Sequence, residues 1–158
     1  MKTNNSLAPI CLFVYSRLEE TIMTVESLQR NTLASESQLF VFSDGGKDEK
    51  NIDDVRAVRK YIHTITGFAN KTIFESEINK GLANSIISGV TKIVEMYGKV
   101  IVLEDDLILA TNFLSYMNQA LDFYQEKKRI LSISGFSFEF NYPLGYKYDV
   151  ALSIRATS

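Results

Sequence analysis

Three consecutive carboxylates, Glu104, Asp105 and Asp106, are the residues whose types and spacing point most directly to chemistry. They directly follow an apolar run at residues 100–103. A run without polar alternation is typical of a strand buried on both faces, so the acids are expected where that strand ends. Because carboxylates this close together repel one another, a shared positive charge is expected beside them.

A divalent cation with oxygen ligands would supply that charge. Mg²⁺ or Mn²⁺ is the usual choice when phosphate oxygens complete the coordination shell. A second interpretation stays open at this point, in which the acids form a solvated turn that caps a helix beginning near Thr111.

Composition limits the class of protein. A chain of 158 residues with 46% hydrophobic content can bury one sizeable core, which indicates a single domain. The net charge of −2 provides no broad basic field, so nucleic acid is not an expected partner. The single cysteine, Cys11, lies in an apolar run and excludes an internal disulfide, while His63 is the only histidine, which gives a histidine metal site little support.

The N-terminal residues are polar, and no run of about 18 apolar residues occurs. We therefore expect a cytoplasmic protein without a transmembrane segment, which could be peripheral to the inner face of a membrane.

Strand-like and helix-like segments alternate along the chain. Apolar runs predict strands at residues 9–15, 38–43, 71–76, 99–103 and 129–134. Helical periodicity predicts helices at residues 18–30, 52–65, from 82 onward, and 112–127. The third of these helices carries the apolar residues Leu82, Ile86, Val90, Ile93 and Val94. The alternation predicts an α/β fold, a mostly parallel sheet with helices on both faces.

The pattern changes after Gly135. An aromatic stretch at residues 136–143 and one further strand-like segment at 148–154 follow, with no helix to close the sheet. We therefore expect a truncated domain. An unfinished sheet edge and an exposed aromatic stretch could pair with a second copy, so a homodimer is one expected partner arrangement.

Polar residues gather where the predicted strands end. They are Arg17 after the first strand, Asp44 after the second, Asn79 and Gly81 after the third, and Glu104 to Asp106 after the fourth. Ligands of open α/β sheets bind beyond the carboxyl ends of the strands, so these residues are expected to share one site. An arginine fork, a hydrogen-bonding aspartate and a carboxylate-bound metal together suit a nucleoside diphosphate. The Gly-x-Gly-x-x-Gly and Gly-x-x-x-x-Gly-Lys-Ser/Thr patterns are absent, which disfavours dinucleotide-dependent oxidoreductases and P-loop NTPases.

Four segments in order, at residues 13–17, 42–47, 79–83 and 102–107, resemble the nucleotide-binding half of GT-A-fold, Rossmann-like glycosyltransferases. The resemblance is to the bacterial family 2 enzymes and their relatives of the N-acetylglucosaminyltransferase I type. It implies that residues 1–158 are the donor-binding portion of a single GT-A domain whose acceptor-binding half is absent. It also implies a nucleotide-sugar donor, UDP-linked, a glycan or lipid-linked acceptor, and a role in bacterial surface polysaccharide synthesis.

The resemblance assigns roles to individual residues. Asp106 would be the metal ligand in a Glu-Asp-Asp form of the Asp-x-Asp motif, for Mn²⁺ or Mg²⁺, with Asp105 facing the ribose or sugar and Glu104 at the edge. Asp44 would contact the base, and Arg17 would lie near the phosphates or ribose. Asn79 and Gly81 would support the donor pocket. The catalytic base is expected beyond Ser158.

Two other functions remain alternatives. An acidic cluster at a strand end also occurs in phosphatase and receiver-type domains, although those sites place acids on the opening strand, which here ends in Tyr15, Ser16 and Arg17. The chain could also be a non-catalytic module that binds a nucleotide.

Overall fold

The computed structural model describes residues 6–136. Four strands and four helices alternate along this part of the chain, with a short 3₁₀ helix, Ala34–Glu36, before the second strand. The strands are β1 (Ile10–Val14), β2 (Gln38–Ser43), β3 (Asn70–Glu75) and β4 (Ile101–Glu104). The helices are α1 (Leu18–Gln29), α2 (Glu49–Thr64), α3 (Leu82–Tyr97) and α4 (Phe113–Tyr124).

The sheet is parallel throughout, in the order β3-β2-β1-β4. Each strand is followed by a helix, and crossovers of this kind return the chain to start a parallel neighbour. The predicted α/β fold with a parallel sheet is therefore confirmed.

Alternate residues of the strands enter two separate cores. On one face, residues of α1, α2 and α4 pack against β1, β2 and β4 around Leu12, Val41 and Leu103. On the other face, Ile93 of α3 packs against Cys11, Phe13 and Phe40. Helices thus cover both faces, as predicted, with three on one side and α3 on the other. Burial raises the pKa of the Cys11 thiol to about 12, which agrees with a packed, unreactive side chain.

Not all the apolar residues of helix α3 face the sheet. Ile93 is fully buried and Gly89 is buried, but Leu82 and Val94 are 58% and 38% exposed. A Cβ atom at Gly89 would lie 2.8 Å from Phe13 Cζ, so the missing side chain lets the helix approach the sheet. The helix contacts the sheet around Gly89 and Ile93, while its first turn extends past the edge of the sheet. Periodicity shows which residues share a face of a helix but not how far that face is covered.

Strand β4 was predicted to be buried on both faces, and this was wrong for one of them. Ile101 and Leu103 are buried, whereas Val102 is 40% exposed. Within residues 6–136, β4 pairs with β1 on one side only, and α3 packs on the other strands of that face.

The predicted fifth strand at residues 129–134 was also wrong. Residues 125–136 contain no strand, and Leu131 is 96% exposed. A short apolar run fits a strand only where a neighbour offers hydrogen bonds, and the run itself does not specify that neighbour. The segment at 148–154 and the aromatic stretch after Phe136 lie outside the described residues.

Candidate functional site

The carboxyl ends of β1, β2 and β4 lie side by side and form the edge that carries the candidate site. The backbone N–H of Asp44 donates to the Val14 carbonyl at 3.4 Å, which joins the end of β2 to the end of β1. The Tyr15 N–H donates to Asp105 Oδ2 at 3.2 Å, which joins the end of β1 to the residue after β4. The residues predicted to share one site are therefore brought to one edge.

Arg17 bridges the two aspartates that follow β4. Its guanidinium donates to Asp105 Oδ1 at 2.5 Å and to Asp106 Oδ2 at 3.0 Å. Burial lowers the pKa of Arg17, but the charges of Asp105 and Asp106 outweigh it, so the pKa lies above its usual value. The positive charge expected beside the acids is thus supplied in part by this side chain.

The two aspartates have different environments. The Asp105 side chain is 4% exposed and accepts bonds from both Arg17 and the Tyr15 backbone, whereas the Asp106 side chain is 45% exposed. Asp105 therefore fixes the end of β4 against the end of β1, while Asp106 faces solvent. Glu104, the last residue of β4, pairs with Phe13 in the sheet register.

The interpretation as a solvated helix cap does not fit. Asp105 is buried, and the N-cap of α4 is Asn112, whose side chain makes no capping hydrogen bond. The acids consequently belong to the strand edge and not to the start of α4.

Asp44 organises the loop that leads into α3. Its Oδ1 accepts from the N–H groups of Gly45 at 3.0 Å and Lys80 at 2.9 Å. Its Oδ2 accepts from the N–H groups of Lys80 at 3.1 Å and Gly81 at 2.9 Å. This buried carboxylate is therefore fully used as an acceptor by the backbone, a role that the sequence did not predict.

Asn79 and Gly81 complete the same loop. The Asn79 side-chain amide donates to the Gly45 carbonyl at 2.8 Å. Gly81 precedes α3 with φ of 78°, a conformation that other residues rarely adopt. A Cβ atom at Gly45 would lie 2.5 Å from the Ile78 carbonyl carbon, so glycine is needed for the loop to pack on the end of β2. Asp44, Asn79 and Gly81 thus form one hydrogen-bonded unit.

Sequence reasoning missed two residues that support this edge. Arg59 of α2 donates to the carbonyls of Asp44 at 3.2 Å and Ser76 at 2.7 Å, which ties the ends of β2 and β3 together. The Tyr15 hydroxyl accepts a hydrogen bond from the Lys47 N–H at 3.1 Å and donates one to Asn51 Oδ1 at 3.2 Å. Neither residue has a local sequence signal, because each acts on chain segments distant in sequence.

Whether Asp106 suits its predicted role as a metal ligand depends on the other groups near it that could bind a cation. Among the described residues, no three or more His, Cys, Asp or Glu side chains cluster tightly enough to hold a metal ion on their own. Mg²⁺ commonly binds through one or two carboxylates together with substrate phosphates, and the half-exposed Asp106 could serve as one such ligand. The residues present therefore fit a cation that arrives with a diphosphate.

Comparisons with known proteins bear on the fold. Neither a scan against protein-family models nor a search of curated proteins found a match. Among solved structures, the crystal structure of TarS from S. aureus is similar, with a TM-score of 0.50 at 16% sequence identity. The similarity covers 74% of this chain and 20% of the TarS chain.

The chain thus spans about a fifth of the length of TarS. In the described region, no helix is both long and apolar enough to cross a membrane. The comparison supports the α/β fold, which this chain shares with part of TarS.

Proposed function

We propose that this chain is the donor-binding part of a metal-dependent glycosyltransferase that takes a nucleotide-sugar, UDP-linked, as its donor. The observation that carries the proposal is the arrangement of Arg17, Asp105 and Asp106 at the carboxyl edge of the sheet. An arginine fork beside a half-exposed carboxylate offers one group for phosphate oxygens and one for a cation. The glycosyltransferase-like fold supports a nucleotide-sugar as the ligand.

In this proposal, the two ends of the edge bind different parts of the donor. Arg17 and Asp106 lie at the diphosphate, with Asp105 beneath them and Glu104 at the margin. Asp44, with Asn79 and Gly81, shapes the pocket on the side of the base. A base N–H that binds Asp44 must compete with the backbone N–H groups of Lys80 and Gly81, because they already occupy its carboxylate.

The chemistry would be transfer of the sugar from the diphosphate to an acceptor hydroxyl. Cleavage of the bond to the anomeric carbon leaves negative charge on the diphosphate, which Arg17 can stabilise. A bound Mn²⁺ or Mg²⁺ on Asp106 would supply Lewis-acid stabilisation of the same charge. The acceptor proton would go to a carboxylate that we place outside the described residues.

The wider role proposed is synthesis of a bacterial surface polysaccharide at the cytoplasmic side of the membrane, with a glycan or lipid-linked acceptor. Similarity to part of TarS supports this setting. We also propose that the relationship extends to the family 2 enzymes and the N-acetylglucosaminyltransferase I type, on the strength of the four sequence segments.

A phosphatase or receiver-type function is less favoured. Such sites need an aspartate with a carboxylate oxygen available to attack phosphorus. The carboxylates of Asp44 and Asp105 are both buried and bonded, and β1 is followed by Tyr15, Ser16 and Arg17, without the acid that such sites place on the opening strand. A non-catalytic nucleotide-binding module shares the donor site and differs only in lacking turnover.

Titration calorimetry of the chain with UDP, with and without Mn²⁺, tests the proposal. We expect binding that strengthens when Mn²⁺ is present, and Asp106→Asn should weaken the Mn²⁺-dependent binding by about 10-fold or more, which corresponds to at least about 1.4 kcal/mol. Asp53→Asn is the matched control, because it removes the same charge from an exposed site whose ion-pair partner in the described part of the chain is Arg56. Binding that is independent of Mn²⁺, or equal in the two variants, would remove the metal assignment. Absence of any UDP binding would contradict the donor site itself.

A further inference from the structure

Helix α1 carries three buried polar side chains on the side that faces the loop after the acids. Thr24 and Ser27 are fully buried and Asn31, just past the helix, is 5% exposed. Their spacing of three and four residues places them one above the other along the helix. Polar groups buried in this way are costly unless each one is hydrogen-bonded, so their partners show what they do.

All three bind backbone groups of residues 107–114. Thr24 Oγ1 donates to the Leu107 carbonyl at 2.8 Å and accepts from the Leu107 N–H at 2.9 Å. Ser27 Oγ accepts from the Leu109 N–H at 3.1 Å. Asn31 Oδ1 accepts from the Leu114 N–H at 2.9 Å. We call Thr24, Ser27 and Asn31 the α1 ladder.

The α1 ladder is also bonded to itself. Ser27 Oγ donates to the Thr24 carbonyl at 2.8 Å, and the Asn31 side-chain amide donates to the Ser27 carbonyl at 3.1 Å. These bonds fix the rotamers of Ser27 and Asn31. Their acceptor oxygens are thereby directed at the N–H groups of Leu109 and Leu114. Thr24 uses both its donor and its acceptor on a single residue, Leu107.

Asp106 lies between two fixed points. Before it, Asp105 is held by Tyr15 and Arg17. After it, the N–H and carbonyl of Leu107 are held by Thr24. The pairing of β4 with β1 ends at Glu104, so it does not reach Asp106.

We infer that the α1 ladder, and Thr24 above all, positions Asp106 for ligand binding at the strand edge. This inference rests on the proposed function where it concerns the ligand, whereas the anchoring of residues 107–109 stands apart from it. Thr24 touches neither the donor nor a cation in this scheme, so it is a positioning residue that acts through Leu107.

Thr24→Val removes both hydrogen bonds and keeps the shape of the side chain. Thr21→Val is the matched control for the exchange measurement, because Thr21 is equally buried in the same helix and, within residues 6–136, its hydroxyl donates to the Arg17 carbonyl one turn back and not to Leu107. Thr24→Ser keeps the hydroxyl and should restore the wild-type behaviour. Ser27→Ala is a milder variant, should Thr24→Val fail to fold, because it frees the Leu109 N–H and removes the bond of Ser27 to the Thr24 carbonyl but leaves Leu107 bound to Thr24.

Amide hydrogen exchange measures the anchoring directly. In Thr24→Val we expect exchange of the Leu107 N–H to be about 10-fold faster or more, with little change in Thr21→Val and Thr24→Ser. Ser27→Ala should speed exchange at Leu109 in the same way. Unchanged exchange at these amides in the folded variants would overturn the anchoring.

Two further readouts measure the positioning. The side-chain NMR signals of Arg17, which report its pair with Asp106, should shift in Thr24→Val and remain in place in Thr24→Ser. The affinity for Mn²⁺ and UDP together should fall by about 5-fold or more in Thr24→Val and stay near the wild-type value in Thr24→Ser. Faster exchange with unchanged Arg17 signals would overturn the positioning role. If the wild-type chain binds no UDP, the proposed function fails, while exchange and the Arg17 signals still decide the role of the α1 ladder.

Discussion

Asp44 has a structural role that does not depend on any ligand. Its carboxylate accepts from three backbone N–H groups, those of Gly45, Lys80 and Gly81. A buried carboxylate gains most from bonds of this kind, because hydrogen bonds to a charged group are stronger than neutral ones. Asp44 is therefore needed for the loop before α3, whether or not a nucleobase also binds it.

Asp44→Asn tests this structural role. The amide nitrogen of Asn cannot accept a hydrogen bond, so it would face an N–H of Lys80 or Gly81 without a bond. We expect the free energy of unfolding to fall by roughly 1–3 kcal/mol. Urea denaturation monitored by circular dichroism measures it.

Asp48→Asn is the matched control for that experiment. Asp48 is the exposed N-cap of α2 and accepts from the Lys50 N–H at 3.0 Å. Asn is about as good an N-cap as Asp, so this variant should retain its stability. Equal stability of the two variants would show that the loop does not depend on the charge of Asp44.

Arg17 forms ion pairs with both aspartates that follow β4. Its guanidinium spans the buried Asp105 and the half-exposed Asp106. The ion pair of Arg17 with Asp105 is shielded from water by the burial of Asp105. The ion pair with Asp106 is open to water and is correspondingly weak. In the proposed function, a diphosphate would therefore draw Arg17 away from Asp106 at little cost while the pair with Asp105 is kept.

At the scale of secondary-structure elements, the packing of α3 depends on how closely the helix backbone approaches the sheet. Gly89 allows the helix to lie against the stacked rings of Phe13 and Phe42, whose centroids are 4.9 Å apart. The N-terminus of the same helix carries the loop bound by Asp44. The position of α3 on the sheet thus sets the position of Lys80 and Gly81.

Gly89→Ala is expected to destabilise the protein, although alanine favours helices by about 1 kcal/mol. The added Cβ would lie 2.8 Å from Phe13 Cζ and 3.1 Å from Phe42 Cε1, so rings in a packed core must shift. We expect a net loss of about 1–3 kcal/mol, measured by urea denaturation. In contrast, Thr91→Ala at an exposed position of α3 should stabilise slightly. A gain in stability for Gly89→Ala would show that α3 packs less closely.

Helix α1 also acts as more than a cover for the sheet. Val25 and Leu28 enter the core, and the α1 ladder binds the loop that follows the acids. One helix therefore supplies apolar packing and the polar anchors of the candidate site.

At the scale of the whole molecule, one flank of the described structure is apolar and exposed. Lys92 lies over the Phe74 ring of β3, 4.0 Å from its centroid, so the opposite flank of α3 faces β4. That flank carries Ile87, 65% exposed, and Val94, while Val102 of β4 is 40% exposed on the same face of the sheet. Apolar residues grouped in this way favour association.

The predicted homodimer can be tested on this flank. We expect the wild-type chain to self-associate as its concentration rises in sedimentation velocity. Val102→Lys places a charge on this flank and should reduce that association. Phe123→Lys is the control, because Phe123 is exposed on α4, on the opposite face of the sheet. A chain that sediments as a monomer at all concentrations, or equal effects of the two variants, would contradict the prediction.

The sequence alone determined the alternation of strands and helices, the parallel sheet and the edge at which Arg17, Asp44, Asn79 and the acids meet. This was possible because apolar periodicity is local and because parallel strands bring their carboxyl ends to one side. It failed at residues 129–134 and at Val102, where the outcome depends on which neighbour covers a strand.

Only the tertiary structure decided how the polar groups are paired. The bonds of Arg17 to two acids, of Asp44 to the loop before α3, and of Thr24 to Leu107 each join residues more than 30 positions apart. A buried polar group takes the partner that packing brings within about 3 Å, and a sequence pattern does not contain that distance.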